Sequence, residues 1–364
     1  MSATASPRRA ARACTGRWQH LLADGRLQCD LCPRACRLRE GQRGFCFVRE
    51  RRGDSIVSTT WGRSSGFCLD PIEKKPLHHF HPGTPALSFG TAGCNLGCRF
   101  CQNWDISAAR EWDRLGAAAT PERIARTAQR WGVPQVAFTY NDPVVYAEYA
   151  IDTARACHDA GVRAVAVTAG YVAPAARADF FAPMDAVNID LKGFTEDFYW
   201  HTTGAHLADV LDTIAWAVAE GSTWVELTTL LIPERNDAER DIRRECRWIR
   251  RELGPDVPLH LSAFHPAFKM PDVPPTPPET LRRAREIALE EGLHFAYTGN
   301  IRDPAGETTS CPGCGAALIR RDWYRILDYR ITPRGTCPQC GQGVPGRFDA
   351  QAGTFGARSV PVRV

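Results

Sequence analysis

Cysteine placement narrows the folds open to this chain more sharply than its length or hydropathy does. Of the fifteen cysteines, all but Cys14, Cys68, Cys157 and Cys246 fall in three clusters, from Cys29 to Cys46, from Cys94 to Cys101 and from Cys311 to Cys340. Clustered thiols either pair as disulfides or ligate metal, and the redox compartment decides which. No apolar run follows the N-terminal arginines Arg8, Arg9 and Arg12, so no secretory leader is expected, and no window of about 18 apolar residues is present to span a membrane. The chain is therefore expected in the reducing cytoplasm, where thiolates act as soft metal ligands. A net charge of +4 over 364 residues argues for neither a nucleic-acid partner nor an acidic membrane surface.

The clusters divide the chain. Residues 1–82 read as an N-terminal tail and a small Cys-rich metal-binding module, and residues 306–350 as a zinc-ribbon-like module followed by a Gly-, Ala- and Arg-rich tail, 351–364. Between them, residues 83–305 alternate short β-branched runs with helical patterns, which predicts βα units on a parallel sheet. Strands are expected near Ala86 to Gly90, Gln135 to Thr139, Arg163 to Thr168, Ala186 to Asp190, Trp224 to Leu230, Leu259 to Ala263 and Phe295 to Tyr297. Thr120 followed by Pro121, and Pro277 followed by Pro278, open helices between them. His78, His79 and His81 fall before the first of these strands and read as a solvated loop in preference to a metal site.

The central cluster is Gly93-Cys94-Asn95-Leu96-Gly97-Cys98-Arg99-Phe100-Cys101, a C-x3-C-x2-C spacing directly after a predicted strand. Three thiolates with no fourth nearby suit a [4Fe-4S] cluster that keeps one iron open to a small molecule. Position supports this over a structural zinc knuckle, because catalytic groups of βα barrels collect at the C-terminal ends of strands.

The run from Phe89 through Asn103-Trp104-Asp105-Ile106-Ser107 resembles the radical S-adenosylmethionine (SAM) superfamily. Within it the run resembles relatives of the pyruvate formate-lyase activating enzyme, and most narrowly the radical SAM enzymes of the AmmeMemoRadiSam system. The likeness extends to Cys29-Asp30-Leu31-Cys32-Pro33, Asn188-Ile189-Asp190-Leu191-Lys192 and Tyr297-Thr298-Gly299-Asn300. It implies an α/β fold, a partial TIM-type (β/α)6 barrel with SAM across the strand ends. It also implies roles. Phe100 would pack on the adenine, or serve as a plain core aromatic. Asn141 and Asp142, in Tyr140-Asn141-Asp142-Pro143, would meet the SAM amino group, although Asp142 equally suits a helix cap. Thr168 stands where relatives carry a Thr-Asn-Gly turn. Asp190 and Lys192 would contact SAM, with a barrel-wall ion pair as the alternative, and His265 would contact the ribose.

Two accessory sites follow from spacing. Cys311-x2-Cys314 and Cys337-x2-Cys340 form a four-thiolate zinc ribbon, with a rubredoxin-like iron site as the alternative. Cys29, Cys32, Cys36 and Cys46 form a second four-thiolate set, for zinc or a second iron-sulfur cluster.

The function expected is reductive SAM cleavage, with electrons from a flavodoxin or ferredoxin-type partner, and hydrogen abstraction from a small-molecule or protein substrate. A glycyl-radical-enzyme activase is one alternative. A non-catalytic zinc-ribbon protein that binds nucleic acid is another, and the even charge disfavours it.

Overall fold

The computed structural model describes residues 14–109 and 116–364; Arg8, Arg9 and Arg12 lie outside them. Its frame is a nine-stranded sheet. In chain order the strands are β1 (Phe67–Pro71), β2 (Pro85–Phe89), β3 (Gln135–Phe138), β4 (Arg163–Thr168), β5 (Ala186–Asp190), β6 (Trp224–Leu231), β7 (Leu259–Ala263), β8 (Ala296–Gly299) and β9 (Val360–Val362). In space they run β8-β7-β6-β5-β4-β3-β2-β1-β9. Strands β2 to β8 are parallel, and β1 and β9 add antiparallel at one edge. Among the described residues β8 and β9 do not pair, so the sheet is an open, partial barrel.

Six helices make the parallel crossovers: α1 (Pro121–Arg130), α2 (Ala147–Asp159), α3 (Pro174–Phe181), α4 (Leu207–Glu220), α5 (Glu239–Trp248) and α6 (Pro278–Glu290). The parallel strands are near-continuous apolar runs because helices cover one face and the barrel interior the other. Val136, Phe138, Ala164, Ala166, Val187 and Ile189 are all fully buried. Helix α1 starts where Thr120 accepts the Arg123 amide at 3.4 Å with Pro121 in the first turn. It turns Ile124, Ala125 and Ala128 into the core.

The N-terminal module is two small antiparallel sheets. Its buried Arg49 reaches Glu148 on α2, Nη1 to Oε1 at 2.8 Å, which ties the module to the barrel. The C-terminal ribbon is a three-stranded antiparallel sheet, Thr309–Ser310, Ala317–Asp322 and Arg325–Tyr329. Its Leu318, Ile319, Ile331 and Val344 pack with Phe295 and Tyr297, at the start of β8.

Two expectations are corrected. The stretch 351–364 is not a loose tail, because Val360, Pro361 and Val362 pair with Leu69, Cys68 and Phe67 and so extend the sheet. His78, His79 and His81 are buried, not solvated. Their loop joins β1 to β2 and so crosses the N-terminal end of the parallel strands, where the ribbon covers it. Glu226 on β6 accepts the amides of His78 and His79 at 3.0 and 2.8 Å, and His79 Nε2 meets the Tyr297 hydroxyl at 2.6 Å.

Candidate active site

The cysteine loop after β2 is held by backbone and amide contacts that leave its sulfurs facing inward. Asn141 donates from Nδ2 to Gly93 O at 2.7 Å, and its Oδ1 accepts the Thr91 amide at 2.8 Å. Asn95 donates to Tyr171 O at 2.7 Å, and the amides of Gly97 and Arg99 bond to Thr203 O and Thr202 O. Gly93 has φ +79°, and a Cβ there would sit 2.1 Å from Cys46 O. Only glycine therefore fits between this loop and the N-terminal module.

Cys94, Cys98 and Cys101 line one cavity of ≈ 530 Å³. Burial pushes the Cys98 thiol up to about 12 and raises that of Cys94 as well. Such thiols give up their protons to a metal and not to water. The Leu96 amide lies 3.5 Å from Cys94 Sγ, a donor that suits a thiolate. Among the described residues, the His, Cys, Asp and Glu group whose ligand atoms all lie within 4.8 Å of one another is the Cys311, Cys314, Cys337, Cys340 quartet. The Cys94 loop is wider than that. Its three inward sulfurs fit a polynuclear cluster with one iron left to another ligand.

Phe100, Asn141, Asp142, Thr168, Asp190 and Lys192 line the same cavity. Lys192 Nζ pairs with Asp190 Oδ2 at 2.8 Å and stands 5.9 Å over the Phe100 ring. Burial works against its charge, but Asp190 and Cys98 hold its pKa above the usual lysine value. Asp142 is committed to the fold as well as to the cavity. Its Oδ1 accepts the Val144 amide and the Thr168 hydroxyl at 2.9 and 3.0 Å, and its Oδ2 accepts the Ala169 amide at 2.9 Å. Burial outweighs these bonds and raises its pKa. His265 is exposed and not among the residues lining the cavity. Its segment instead crosses the cysteine loop through the Lys269 amide, bonded to Arg99 O at 2.9 Å.

At the far end the cavity meets a polar floor absent from the sequence reading. Thr228 on β6, and His260 and Ser262 on β7, face inward, joined by Glu73, Lys75 and His78 from the β1–β2 loop. Glu307, Trp323 and Tyr324 close it from the ribbon. Glu73 Oε2, His78 Nδ1 and Thr228 Oγ1 are buried without a hydrogen-bond partner. Burial lifts Glu73 and Glu307 to about 7. The signal for this floor was polar residues at alternate positions of parallel strands, Glu226 and Thr228, then His260 and Ser262, where apolar ones belong.

The ribbon quartet brings Cys311 and Cys340 sulfurs to 3.5 Å and those of Cys314 and Cys337 to 3.7 Å. A Zn–S bond of about 2.3 Å places tetrahedral sulfurs about 3.8 Å apart, so the quartet is sized for a single ion.

Residues 89–246 match the family model of the Radical SAM superfamily. The chain is 41% identical over 325 residues to the uncharacterized protein MJ0808 of Methanocaldococcus jannaschii, an alignment covering 89% of this chain and 96% of that protein. It is 28% identical over 152 residues to GTP 3',8-cyclase of Limosilactobacillus fermentum, covering 41% of this chain and 46% of the relative. A radical SAM methyltransferase from Sphaerobacter thermophilus superposes with a TM-score of 0.47 at 16% identity, over 83% of this chain and 80% of that one. The family match spans the cysteine loop, strands β3 to β5, and Asp142, Thr168, Asp190 and Lys192 at or just past their C-terminal ends, and on that ground residues 89–246 form a radical SAM superfamily domain.

Proposed function

We propose that this chain cleaves SAM reductively at a [4Fe-4S] cluster held by Cys94, Cys98 and Cys101, and abstracts hydrogen from a substrate bound in the same cavity. The observation that carries this reading is that the three thiols open on one cavity with Asp190, Lys192, Asp142 and Phe100. When bound, the cluster and SAM supply one electron and a 5'-deoxyadenosyl radical. The electron comes from outside, from a flavodoxin or ferredoxin-type partner. The protein's own part is placement. Lys192 offers an ammonium to the SAM carboxylate, and Asp190 offers its carboxylate to the ribose or amino group, both as charge-assisted contacts. Phe100 gives the adenine an apolar face, and Asn141 keeps the cysteine loop in register. The β1–β2 loop, residues 72–84, and the ribbon keep water from the far end, where an unguarded radical would be lost.

The polar floor supports a small, polar substrate. Glu73, His78 and Thr228 present unpaired polar atoms that a bound molecule can satisfy. The ribbon holds zinc in this account, and its fifteen-cysteine chain, with no disulfide among the described residues, suits a reducing cytoplasm. Among the described residues no helix is long and apolar enough to cross a membrane.

The test traces hydrogen. The reduced, reconstituted enzyme is incubated anaerobically with SAM and deuterated cell extract, separated into small-molecule and protein fractions. Deuterium is expected in 5'-deoxyadenosine from a small-molecule fraction. Label arriving only from the protein fraction would establish a protein substrate instead, and label from neither would remove the hydrogen-abstraction step.

A further inference from the structure

Beside the cysteine loop lies a second, smaller cavity with four cysteines in its wall, Cys29, Cys32, Cys36 and Cys46. The Cys-rich module folds so as to aim them there. Cys29 N bonds to Cys36 O at 2.9 Å, and Ala35 N to Cys32 O at 3.1 Å. Ala35 and Phe47, each next to a cysteine, take the left-handed φ values of +44° and +69°. The Phe45 amide points at Cys36 Sγ, 3.4 Å away, as an amide does toward a thiolate. Leu31, Val144 and Val145 supply apolar walls.

The spacing of the sulfurs separates the two metals that four thiolates allow. A single zinc draws its sulfurs to about 3.8 Å from one another, and the ribbon quartet of this same chain shows that geometry at 3.5 and 3.7 Å. The N-terminal quartet is not drawn together in that way, and the group found within 4.8 Å is the ribbon's alone among the described residues. In this it matches the Cys94, Cys98, Cys101 loop. The first three cysteines also mirror that loop in sequence, C-x2-C-x3-C against C-x3-C-x2-C.

We infer that Cys29, Cys32, Cys36 and Cys46 hold a second [4Fe-4S] cluster. Ligated by four thiolates, it has no open iron, so it can carry electrons but cannot take SAM. It would lie next to the first. Asn95, which follows Cys94, walls the second cavity, and Cys46 O packs against Gly93. The guanidinium of Arg34 lies in the wall of this cavity and donates to Asn95 O, a cation suited to the net negative charge of such a cluster.

The inference stands apart from the function proposed for the Cys94 loop, and its test removes that loop. The 364-residue chain carrying Cys94→Ala, Cys98→Ala and Cys101→Ala is reconstituted anaerobically with iron and sulfide, then assayed for iron, sulfide and zinc. About four irons and four sulfides per chain are expected, with the paramagnetic signal of a four-iron cluster on reduction and about one zinc in the ribbon. Adding Cys36→Ser should remove the iron and leave the zinc. In the otherwise intact chain, Cys29→Ser with Cys36→Ser should lower the iron content from about eight to about four, which guards against a triple variant that does not fold. Iron-free triple variant with about two zincs, a two-iron cluster, or iron in the intact chain unmoved by the Cys29 and Cys36 changes would each overturn the assignment.

Discussion

At Lys192 burial and charge pull in opposite directions. Loss of water favours the neutral amine, and the Asp190 carboxylate at 2.8 Å keeps the ammonium. A pair held this way at a cavity wall is preorganised for a zwitterionic ligand, because neither charge must be recruited when the ligand arrives. Lys192→Ala and Asp190→Ala are each expected to weaken SAM binding by about 10- to 100-fold, the loss of one charge-assisted contact, with the iron content unchanged. Equilibrium binding of SAM to the reconstituted proteins reads this directly. Parent-like affinity in both variants would take the strand out of the SAM site. Asp142 stands differently, since three donors already occupy its oxygens. Its replacement is expected to disturb the turn after β3 along with any ligand contact.

Between elements, the join of α5 to β6 turns on one proton. Thr229 donates its hydroxyl to Leu191 O at 2.9 Å, and the same oxygen touches the Glu245 carboxyl. One hydroxyl proton cannot serve both, so Glu245 must donate, and burial accordingly raises it to about 8. Between the ordinary value of 4.5 and about 8 the unfolded chain releases a proton that the folded chain keeps. The stability this group contributes is therefore complete below pH 4.5 and is lost as pH rises toward 8. Glu245→Gln keeps the hydrogen bond without the proton. It should raise stability at pH 8 by on the order of 2 kcal/mol and flatten the pH dependence across that window. Urea unfolding at pH 5 and pH 8 checks it, and an equal effect at both pH values would mean the carboxyl is ionised in the fold. The parallel strands themselves were legible because each is a buried apolar run between helix signals. Strands β1 and β9 were not, since neither belongs to the alternation of strand and helix signals: Phe67–Pro71 adds antiparallel to β2, and the three-residue Val360–Val362 gains its place only by pairing across most of the chain.

Across the whole molecule, three cysteine modules surround one barrel, and their legibility follows distance along the chain. Ligands three or four residues apart declare themselves in sequence. The cavity floor does not, because His78, Glu226, His260 and Tyr297 meet only after the sheet has formed. The segment around His265 shows the reverse. The resemblance implies a ribose contact for His265, yet the histidine faces solvent while Lys269 and Phe268 lie against the cysteine-loop region. The ribbon carries its own test. Cys311→Ser or Cys337→Ser should release about one zinc and loosen the packing on Phe295 and Tyr297, because structural zinc binding is coupled to local folding. SAM cleavage without substrate should largely persist. Elemental analysis beside a cleavage assay decides, and iron in the ribbon with cleavage lost in step would make it an electron carrier.

Formation of 5'-deoxyadenosine from SAM by the reduced, reconstituted protein reports directly on the three thiols of the Cys94 loop. The parent chain should produce it, and Cys94→Ala, Cys98→Ala and Cys101→Ala should each abolish it. Continued turnover by Cys98→Ala, or none by a parent protein fully loaded with iron and sulfide, would mean that these thiols do not hold the cluster that cleaves SAM.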